Sequence, residues 1–446
     1  MARVLLATPE PIGRRLAGPA IRAAHLARVL SADHDVTLAS LAGASVSPID
    51  GRAVLGPEAI APRGHDVAIV QGSVTVTHPD LLESNLPLVI DWFDPFHAEA
   101  LHRSTDDRVR RLDLIEGART TLHAQARRGD LFLCSNETQR THWLGWLSAA
   151  GRCNHANHDA DPTFASLLAV APFGVEDAPP PATGRIRSTF SAIGPHDPIL
   201  LWAGGLHDWL DPVRVVEAMP FALDENPDTR LVFLAGPHPN TSIGTMGIRG
   251  DAISRARDLR LFGRSVLFVN QWVDYEDRLQ WVADADIGVA AHRRHMETSL
   301  SHRTRLLDHL AVGLPTVATG GDPLTTQLEA VGAARTVVPG SAEALGHAIA
   351  EVLRDSTGRA EMAAAATALA AELRWEQTLA PLLEWLEDPR PAADRRAGVR
   401  TGFDAGQAND RAVGRAVARA RLHLDDGGPR QLLERTLAAG RRRSRR

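Results

Sequence analysis

Short apolar runs recur along the chain and alternate with stretches of helical periodicity. The runs are continuous, which is typical of parallel strands buried on both faces. Helical stretches between them predict repeated βαβ units. The predicted strands form a first series, Val4–Ala7, Val36–Leu38, Val67–Val70, Leu88–Ile90 and Leu131–Cys134, and a second series, Ile199–Trp202, Leu231–Leu234, Val266–Val269, Ile287–Ala290, Thr316–Ala318 and Thr336–Val338.

A stretch rich in proline and alanine, residues 178–183, separates the two series. A chain of 446 residues is too long for one core, and its 44% hydrophobic content is enough for two. We therefore predict an α/β fold of two doubly wound, Rossmann-like domains facing a cleft, residues 1–173 and 174–370. A helix is predicted within 371–389. Ligands of such sheets bind at the carboxyl ends of the strands.

The composition excludes some classes of enzyme. The chain has no lysine, so all 49 of its basic residues are arginines. GC-rich coding explains this absence, but the chemistry follows in any case: a P-loop nucleotidase and a Schiff-base enzyme both require a lysine. Two cysteines fit a reducing compartment, and no apolar run approaches the roughly 20 residues of a membrane span. The N-terminus is interpreted as a first strand rather than a signal peptide. We expect a cytoplasmic enzyme.

The charge is divided unevenly along the chain. Residues 391–446 hold 14 arginines against 6 acidic residues, a net charge of +8, whereas the rest of the chain has a net charge of −13. The Arg-rich tail, residues 390–446, is interpreted either as a solvated segment or as one that adheres to an anionic membrane surface, at the inner face of the plasma membrane. Nucleic-acid binding is not expected, because the tail has one aromatic residue, Phe403, and the body is acidic.

Two loops of the first domain carry candidate chemistry. Gly18-Pro19 follows the first strand and opens a helix, which gives either an anion site at the helix N-terminus or a plain turn. The stretch from Asp91 to Glu99 follows the fourth strand. Its Asp94 and His97 are candidates for positioning substrate hydroxyls or for moving a proton. Helix capping would explain Asp94 but not His97.

The second domain has two further loops of this kind. Gly204 and Gly205 follow a buried strand and permit close backbone approach to a ligand. The stretch from His292 to Pro315 is dense in Arg and His, and a helix within it begins near Arg303 and Arg305. That helix N-terminus is predicted to be an anion site with added positive charge. The stretch 153–161 resembles a metal cluster, but its spacing is loose, so no metal is expected.

The order of these features resembles a family. Four signals agree over roughly residues 1–388: Gly18-Pro19, the stretch Ala171–Glu176, Gly204-Gly205, and the stretch Asp308–Val317. They resemble the retaining, nucleotide-sugar-dependent glycosyltransferases of family 4, which have the GT-B fold, and in particular a bacterial subgroup. The resemblance implies that the first domain lies on the acceptor side and that the second binds the nucleotide sugar. It also implies that the helix within 371–389 returns to the first domain.

The resemblance assigns roles to particular residues. The acid matching Asp308 usually binds the nucleotide ribose. The family's second glutamate falls on Leu300, and the nearest acid is Glu297. An Arg and a Lys that usually counter the diphosphate fall on Gly205 and Leu210, so both charges are missing. We expect Arg303, Arg305 or both to supply that charge, with backbone N–H groups of Gly18 and Thr304. The expected donor site also includes three residues of the neighbouring loops: Asp208, Trp272 and Val273.

The resulting hypothesis is a hexosyl transfer to an acceptor hydroxyl with retention, in the synthesis of cell-surface polysaccharide or glycoconjugate. The catalytic candidates are Asp94, His97, Glu297 and Arg303. The partners expected are a nucleotide sugar and a glycan or lipid-linked acceptor, with no metal and no other cofactor. Two alternatives stay open at this point: a nucleotide-sugar epimerase of the same fold, and a non-catalytic partner protein that has lost its diphosphate charges.

Overall fold

The computed structural model describes residues 1–103, 108–177, 184–244 and 246–399. Within these residues, two six-stranded parallel sheets form the centres of two α/β domains, which confirms the predicted fold class. The proline- and alanine-rich stretch 178–183 and the part of the Arg-rich tail from residue 400 to 446 lie outside the described residues.

All eleven predicted strands are present, and three short ones were missed. The strands are β1 Arg3–Thr8, β2 Asp35–Ser40, β3 Ser45–Val46, β4 Ala53–Val54, β5 Val67–Gln71, β6 Leu88–Asp91, β7 Leu131–Cys134, β8 Leu168–Val170, β9 Ile199–Trp202, β10 Arg230–Leu234, β11 Val266–Val269, β12 Ile287–Ala290, β13 Thr316–Thr319 and β14 Ala334–Val337. The sheet orders are β2-β1-β5-β6-β7-β8 and β11-β10-β9-β12-β13-β14. The missed strands are β8 and the antiparallel pair β3–β4, whose apolar runs are too short to stand out.

Helices cover both faces of the two sheets. They are α1 Gly18–Leu30, α2 Val74–Thr77, α3 Asp80–Glu83, α4 Phe96–His102, α5 Arg108–Arg128, α6 Glu137–Ala149, α7 His155–Ala160, α8 Arg185–Thr189, α9 Pro212–Glu225, α10 Ile248–Asp258, α11 Arg278–Ala283, α12 Met296–Leu300, α13 Thr304–Ala311, α14 Pro323–Ala330, α15 Ala342–Arg354, α16 Ser356–Glu372, α17 Trp375–Thr378, α18 Ala380–Glu387 and α19 Ala393–Arg396. Their starts follow ordinary capping rules. Asp211, for example, accepts a hydrogen bond from the Arg214 backbone N–H ahead of α9.

The helix predicted over 371–388 is in fact two short helices, α17 and α18. Pro381 stands in the first turn of α18, where its missing N–H is tolerated; it could not continue a longer helix. The apolar side chains of this segment, including Leu379, Leu382 and Leu386, are buried in the core that contains β1 and α1. The chain therefore returns to the first domain after it has completed the second.

The chain crosses between the domains at two places that lie side by side. The Val175 backbone N–H donates to the Leu373 carbonyl at 2.6 Å. Gly174 fits closely against Trp375, because a β-carbon at Gly174 would lie 2.4 Å from the Trp375 Cα. The Trp375 ring is buried and stacks on His25 of α1, with ring centres 4.5 Å apart.

The segment after α18 is fastened to the first domain. Arg152 and Asp394 form a hydrogen-bonded ion pair at 2.7 Å, and both side chains are fully buried. Asp130 accepts a hydrogen bond from the Ala392 backbone N–H and pairs with Arg395 at 2.7 Å. The Arg-rich tail predicted from residue 390 thus begins with a helix, α19, that packs against α7.

The stretch 153–161 supports this docking. Most of it is helix α7, and Asn154 caps that helix by accepting from the Asn157 N–H. Asn157 in turn accepts from the Asp394 backbone N–H at 2.9 Å. Over the described ranges, no group of His, Cys, Asp or Glu side chains has the arrangement needed to hold a metal ion. The same ranges contain no helix with the length and hydropathy of a membrane span.

Candidate functional site

A cleft with a volume of about 1410 Å³ lies between the two domains, at the carboxyl ends of the strands. Most of the predicted site residues line it. These are Gly18, Asp94, Gly204, Gly205, Trp272, Val273, Glu297, Arg303, Thr304, Arg305 and Asp308. Two predicted residues, His97 and Asp208, do not line the cleft.

Two helix N-termini face each other across the cleft. Helix α1 begins at Gly18 and α13 begins at Thr304, and a β-carbon at Gly18 would lie 3.9 Å from the Thr304 hydroxyl oxygen. Neither helix has a side chain that caps its first N–H groups. Uncapped N–H groups and the positive ends of two helix dipoles favour a bound anion.

The two arginines of this loop have different partners. Arg303 donates two hydrogen bonds to the Glu297 carboxylate, at 2.7 and 2.8 Å. Arg303 is 6% exposed and Glu297 is fully buried, so the pair is shielded from solvent. Such a pair is costly to break, because either partner alone would be a buried charge. The charge of Arg303 is therefore committed to Glu297.

Arg305 has no such partner. Its Nη2 donates to the Gly205 carbonyl oxygen at 3.1 Å, and its guanidinium lies 4.6 Å from the centre of the Trp202 ring. Its Nη1 is buried without a hydrogen-bond partner, and no carboxylate in the described part of the chain forms an ion pair with it. Burial and the neighbouring Arg303 lower the pKa of Arg305. An anion bound here would offset both the cost of burying the Arg305 charge and its repulsion by Arg303.

The loop after β9 places the His207 ring beside Gly205. A β-carbon at Gly205 would lie 2.9 Å from the His207 ring, and Gly204 has a φ of +95°, so this loop requires glycine. The His207 ring stacks on Trp209, with ring centres 4.7 Å apart. Asp208 was predicted to bind the donor, but its carboxylate accepts from the Ile248 N–H at the start of α10. Asp208 therefore stabilises a helix end.

Trp272 joins the two walls of the cleft. Its indole N–H donates to the Leu16 carbonyl in the opposite domain at 3.0 Å. Gly236 allows this placement, because a β-carbon there would lie 2.0 Å from the Trp272 backbone nitrogen. The Trp272 ring and the backbone next to Val273 therefore form this part of the cleft wall.

Asp308 belongs to a chain of polar contacts that reaches the domain crossing. Its Oδ1 accepts from Arg278 Nε at 3.3 Å, and burial raises the pKa of Asp308. The Arg278 guanidinium also pairs with Glu176, which lies beside the crossing at Val175. The Tyr275 hydroxyl donates to Glu176 as well. A ligand that contacts Asp308 would therefore also affect the contacts of Arg278 with Glu176 beside the domain crossing.

A group of carboxyls faces this site from the first domain. Asp94 and Glu99 both line the cleft. Burial and the negative charge of Glu297 raise the pKa of Asp94 to about 7. Burial, Asp94 and Glu297 raise the pKa of Glu99 well above its ordinary value. A carboxyl with a pKa of about 7 is partly protonated at neutral pH, so Asp94 can exchange a proton near pH 7.

The structure does not bring His97 into this group. Its Nε2 lies 3.2 Å from Nε2 of His142, and its ring packs among His142, Trp143 and Trp146. Burial lowers its pKa to about 4, so the ring is neutral. Helix α4 turns Glu99 towards the cleft and His97 towards α6. The sequence prediction that His97 moves a proton to or from substrate has no support in this geometry.

Sequence reasoning missed several residues of the cleft. Glu10, Arg103, Glu176, Arg278 and His302 all line it. Glu10 stands just after β1, so the rule that ligands bind at strand ends could have found it. Glu176 stands in a motif that carried the family resemblance. Arg278 follows no buried strand and no glycine turn, so no signal in the sequence marks it.

No protein-family model matches the chain, and no curated protein matches it. Solved structures do resemble it. Sucrose-phosphate synthase from Thermosynechococcus elongatus is 16% identical with a TM-score of 0.63, covering 87% of this chain and 98% of that one. HepE from Anabaena, in complex with UDP-glucose, is 14% identical with a TM-score of 0.62, covering 87% and 100%. The E. coli trehalose-6-phosphate protein bound with UDP-2-fluoro glucose is 12% identical with a TM-score of 0.61, covering 87% and 100%. At these identities the likeness concerns architecture, and the chain has the GT-B fold.

Proposed function

We propose that the protein is a glycosyltransferase that moves a sugar from a nucleotide-diphosphate sugar to an acceptor hydroxyl, with retention. The observation that carries the proposal is Arg305, a half-buried cation whose Nη1 is buried without a hydrogen-bond partner, beside two facing helix N-termini in the cleft. The fold supports it, because HepE of the same architecture binds UDP-glucose and UDP.

The diphosphate is assigned to Arg305 and to the free N–H groups at the start of α13. These groups stabilise the negative charge that develops on the leaving phosphate, and Arg305 takes the place of the charges absent at Gly205 and Leu210. The carboxylate of Asp308 is assigned to the ribose hydroxyls. Glu297, held rigidly by Arg303, is assigned to the hydroxyls of the donor sugar.

The acceptor hydroxyl is assigned to the Asp94 side of the cleft. In the transfer, the bond between the sugar's anomeric carbon and the phosphate oxygen breaks. The acceptor oxygen bonds to the same face of that carbon, and its proton passes to the departing phosphate. Asp94 orients the hydroxyl. The proposed setting is the synthesis of cell-surface polysaccharide or glycoconjugate.

The first experiment measures UDP affinity and sugar transfer from UDP-, GDP- and dTDP-sugars. For Arg305→Ala we expect the dissociation constant for the matching nucleotide to rise about 10- to 100-fold, as expected for the loss of a charge-assisted bond. Arg335→Ala is the matched control, because Arg335 is exposed on β14 and far from the cleft. Unchanged affinity in Arg305→Ala would refute the assigned role.

The same assay separates the alternatives. Donor binding without transfer to any acceptor would favour a non-catalytic partner protein. Rearrangement of the donor sugar without an acceptor would favour an epimerase. The configuration of the new glycosidic bond, determined by NMR, tests retention. A product of inverted configuration would refute front-face attack.

The proposal extends to a lipid-linked acceptor, reached from an anionic membrane surface to which the Arg-rich tail adheres. Its support is the net charge of +8 in residues 391–446. The test is binding to vesicles with and without phosphatidylserine, before and after truncation following Val399. This truncation retains Asp394 and its ion pair with Arg152. Equal binding by both chains would refute the tail's role.

A further inference from the structure

Carboxyl groups outnumber cations on the acceptor side of the cleft. The carboxyls that act on one another there are those of Glu10, Asp94, Glu99 and Glu297, and the guanidiniums that act on them belong to Arg103 and Arg303. Arg303 pairs with Glu297 through two hydrogen bonds. Arg103 is thus the guanidinium left to balance Glu10, Asp94 and Glu99. In this group, four carboxyls face two guanidiniums.

Glu10 is a buried carboxylate with an unused oxygen. It is 7% exposed, and it lines the cleft. Its Oε1 accepts a hydrogen bond from Asn240 Nδ2 at 3.0 Å. Its Oε2 is buried and has no hydrogen-bond partner within the described ranges. A buried carboxylate oxygen without a donor is costly, so this atom is a vacant acceptor for an N–H or O–H group of a ligand.

Among the described residues, the cations that act on Asp94 and Glu99 are Arg303 and Arg103. The charge of Asp94 raises the pKa of Glu99, and the charge of Glu297 raises the pKa of both carboxyls. Arg103 acts on Glu99 more weakly than Arg303 does, and its Nη1 donates to the Ile243 carbonyl at 2.7 Å. A ligand cation placed between Glu10 and the Asp94–Glu99 pair would favour the ionised form of all three carboxyls. A phosphate placed there would meet repulsion.

We infer that this acceptor subsite, formed by Glu10, Asp94 and Glu99, binds an acceptor that carries an ammonium group beside its hydroxyls, such as an amino sugar or an aminocyclitol. The inference rests on the proposed function, since it names the class of acceptor. The ammonium donates to Glu10 Oε2 and to Glu99, while the reacting hydroxyl lies at Asp94, on the side of Glu297 and the donor sugar.

Three probes with the same ring and different charge test the inference: glucosamine, glucose and glucose 6-phosphate. Their dissociation constants are measured by calorimetry on the full chain saturated with UDP. We expect glucosamine to bind about tenfold more tightly than glucose, as for a charge-assisted hydrogen bond, and glucose 6-phosphate to bind most weakly. Glu10→Gln keeps the shape and removes the charge, so the preference for glucosamine should disappear. Glu343→Gln on the exposed face of α15 is the matched control and should retain it.

The outcomes are distinguishable. Equal affinity for the three probes, including no binding of any, or tightest binding of glucose 6-phosphate would overturn the inference and leave the proposed function intact, provided that UDP binds. Absence of nucleotide binding would overturn the proposed function and the inference together. Glu99→Gln is a second variant for the case that Glu10→Gln does not fold. Loss of the preference for glucosamine in either folded variant supports the subsite. Retention of the preference in both variants would refute it.

Discussion

Asp94 is predicted to make the folded protein less stable as the pH rises through neutrality. An unfolded Asp94 releases its proton near pH 4, whereas in the folded protein burial and Glu297 raise the pKa to about 7. Between these values the folded state binds more protons than the unfolded state, so stability falls as pH rises. The loss is complete above the folded pKa.

The size of the effect follows from the two pKa values. A pKa of about 7 against an ordinary value of about 3.9 corresponds to about 4 kcal/mol. Asp94 is half-buried, and Glu99 stays beside Glu297 when Asp94 alone is changed, so part of this cost remains. For Asp94→Asn we expect a gain of about 1–3 kcal/mol at pH 8 relative to pH 5.

The assay compares the midpoints of thermal unfolding of variant and wild type at pH 5 and pH 8. For a domain of this size, each kcal/mol shifts the midpoint by about 2–4 °C. Asp66→Asn is the control, because Arg3 holds the pKa of the exposed Asp66 at about 2. Asp66 is therefore ionised at both pH values, and its variant should show a constant difference. The reasoning fails if the difference in unfolding midpoint between Asp94→Asn and wild type is the same at both pH values, or if it is smaller at pH 8.

Three further variants test other parts of the structure by chemical denaturation and kinetics. Asp394→Ala leaves Arg152 buried and unpaired and should cost about 3–5 kcal/mol of unfolding free energy, whereas Glu225→Ala, in an exposed pair, should cost less than about 1 kcal/mol; equal losses would contradict this. Gly236→Ala should weaken nucleotide binding more than about tenfold, because its β-carbon would collide with backbone at 2.0 Å; a normal dissociation constant would show that the wall is not part of the site. His97→Ala should leave kcat/KM for transfer within about twofold and lower stability by about 1–2 kcal/mol, since the ring lies outside the cleft; a large fall in kcat/KM would restore its predicted role.

The architecture could be predicted because buried parallel strands leave a strong, local signal. The runs Val67–Val70 and Val266–Val269 are apolar at every position, so each reports burial on two faces without reference to the rest of the chain. The boundary between α17 and α18, near Pro381, also has a local cause in the sequence. It was missed because the apolar periodicity continues on both sides of it.

The loops that form the site could be predicted from the sequence. The roles of the individual side chains within those loops could not. Arg303 and Arg305 stand two positions apart at one helix start, and the sequence treats them alike. Their roles separate because Glu297 approaches Arg303 from α12, a contact set by tertiary packing. Similarly, Asp94 and His97 share a loop and the next helix, but packing of Trp143 and Trp146 draws the His97 ring away from the cleft. Such choices depend on partners distant in the sequence.

The paired crossings at Val175 and Leu373 determine how the two domains can move. A single connecting segment would act as a swivel and permit rotation in any direction. Two adjacent segments, joined by a backbone hydrogen bond and wedged by Trp375 against Gly174, act as a hinge with one axis. Sliding and twisting of one domain past the other would have to break that bond. Opening about this pair of segments would leave that bond intact and would break contacts that cross the cleft, such as Trp272 to Leu16 and Asn240 to Glu10.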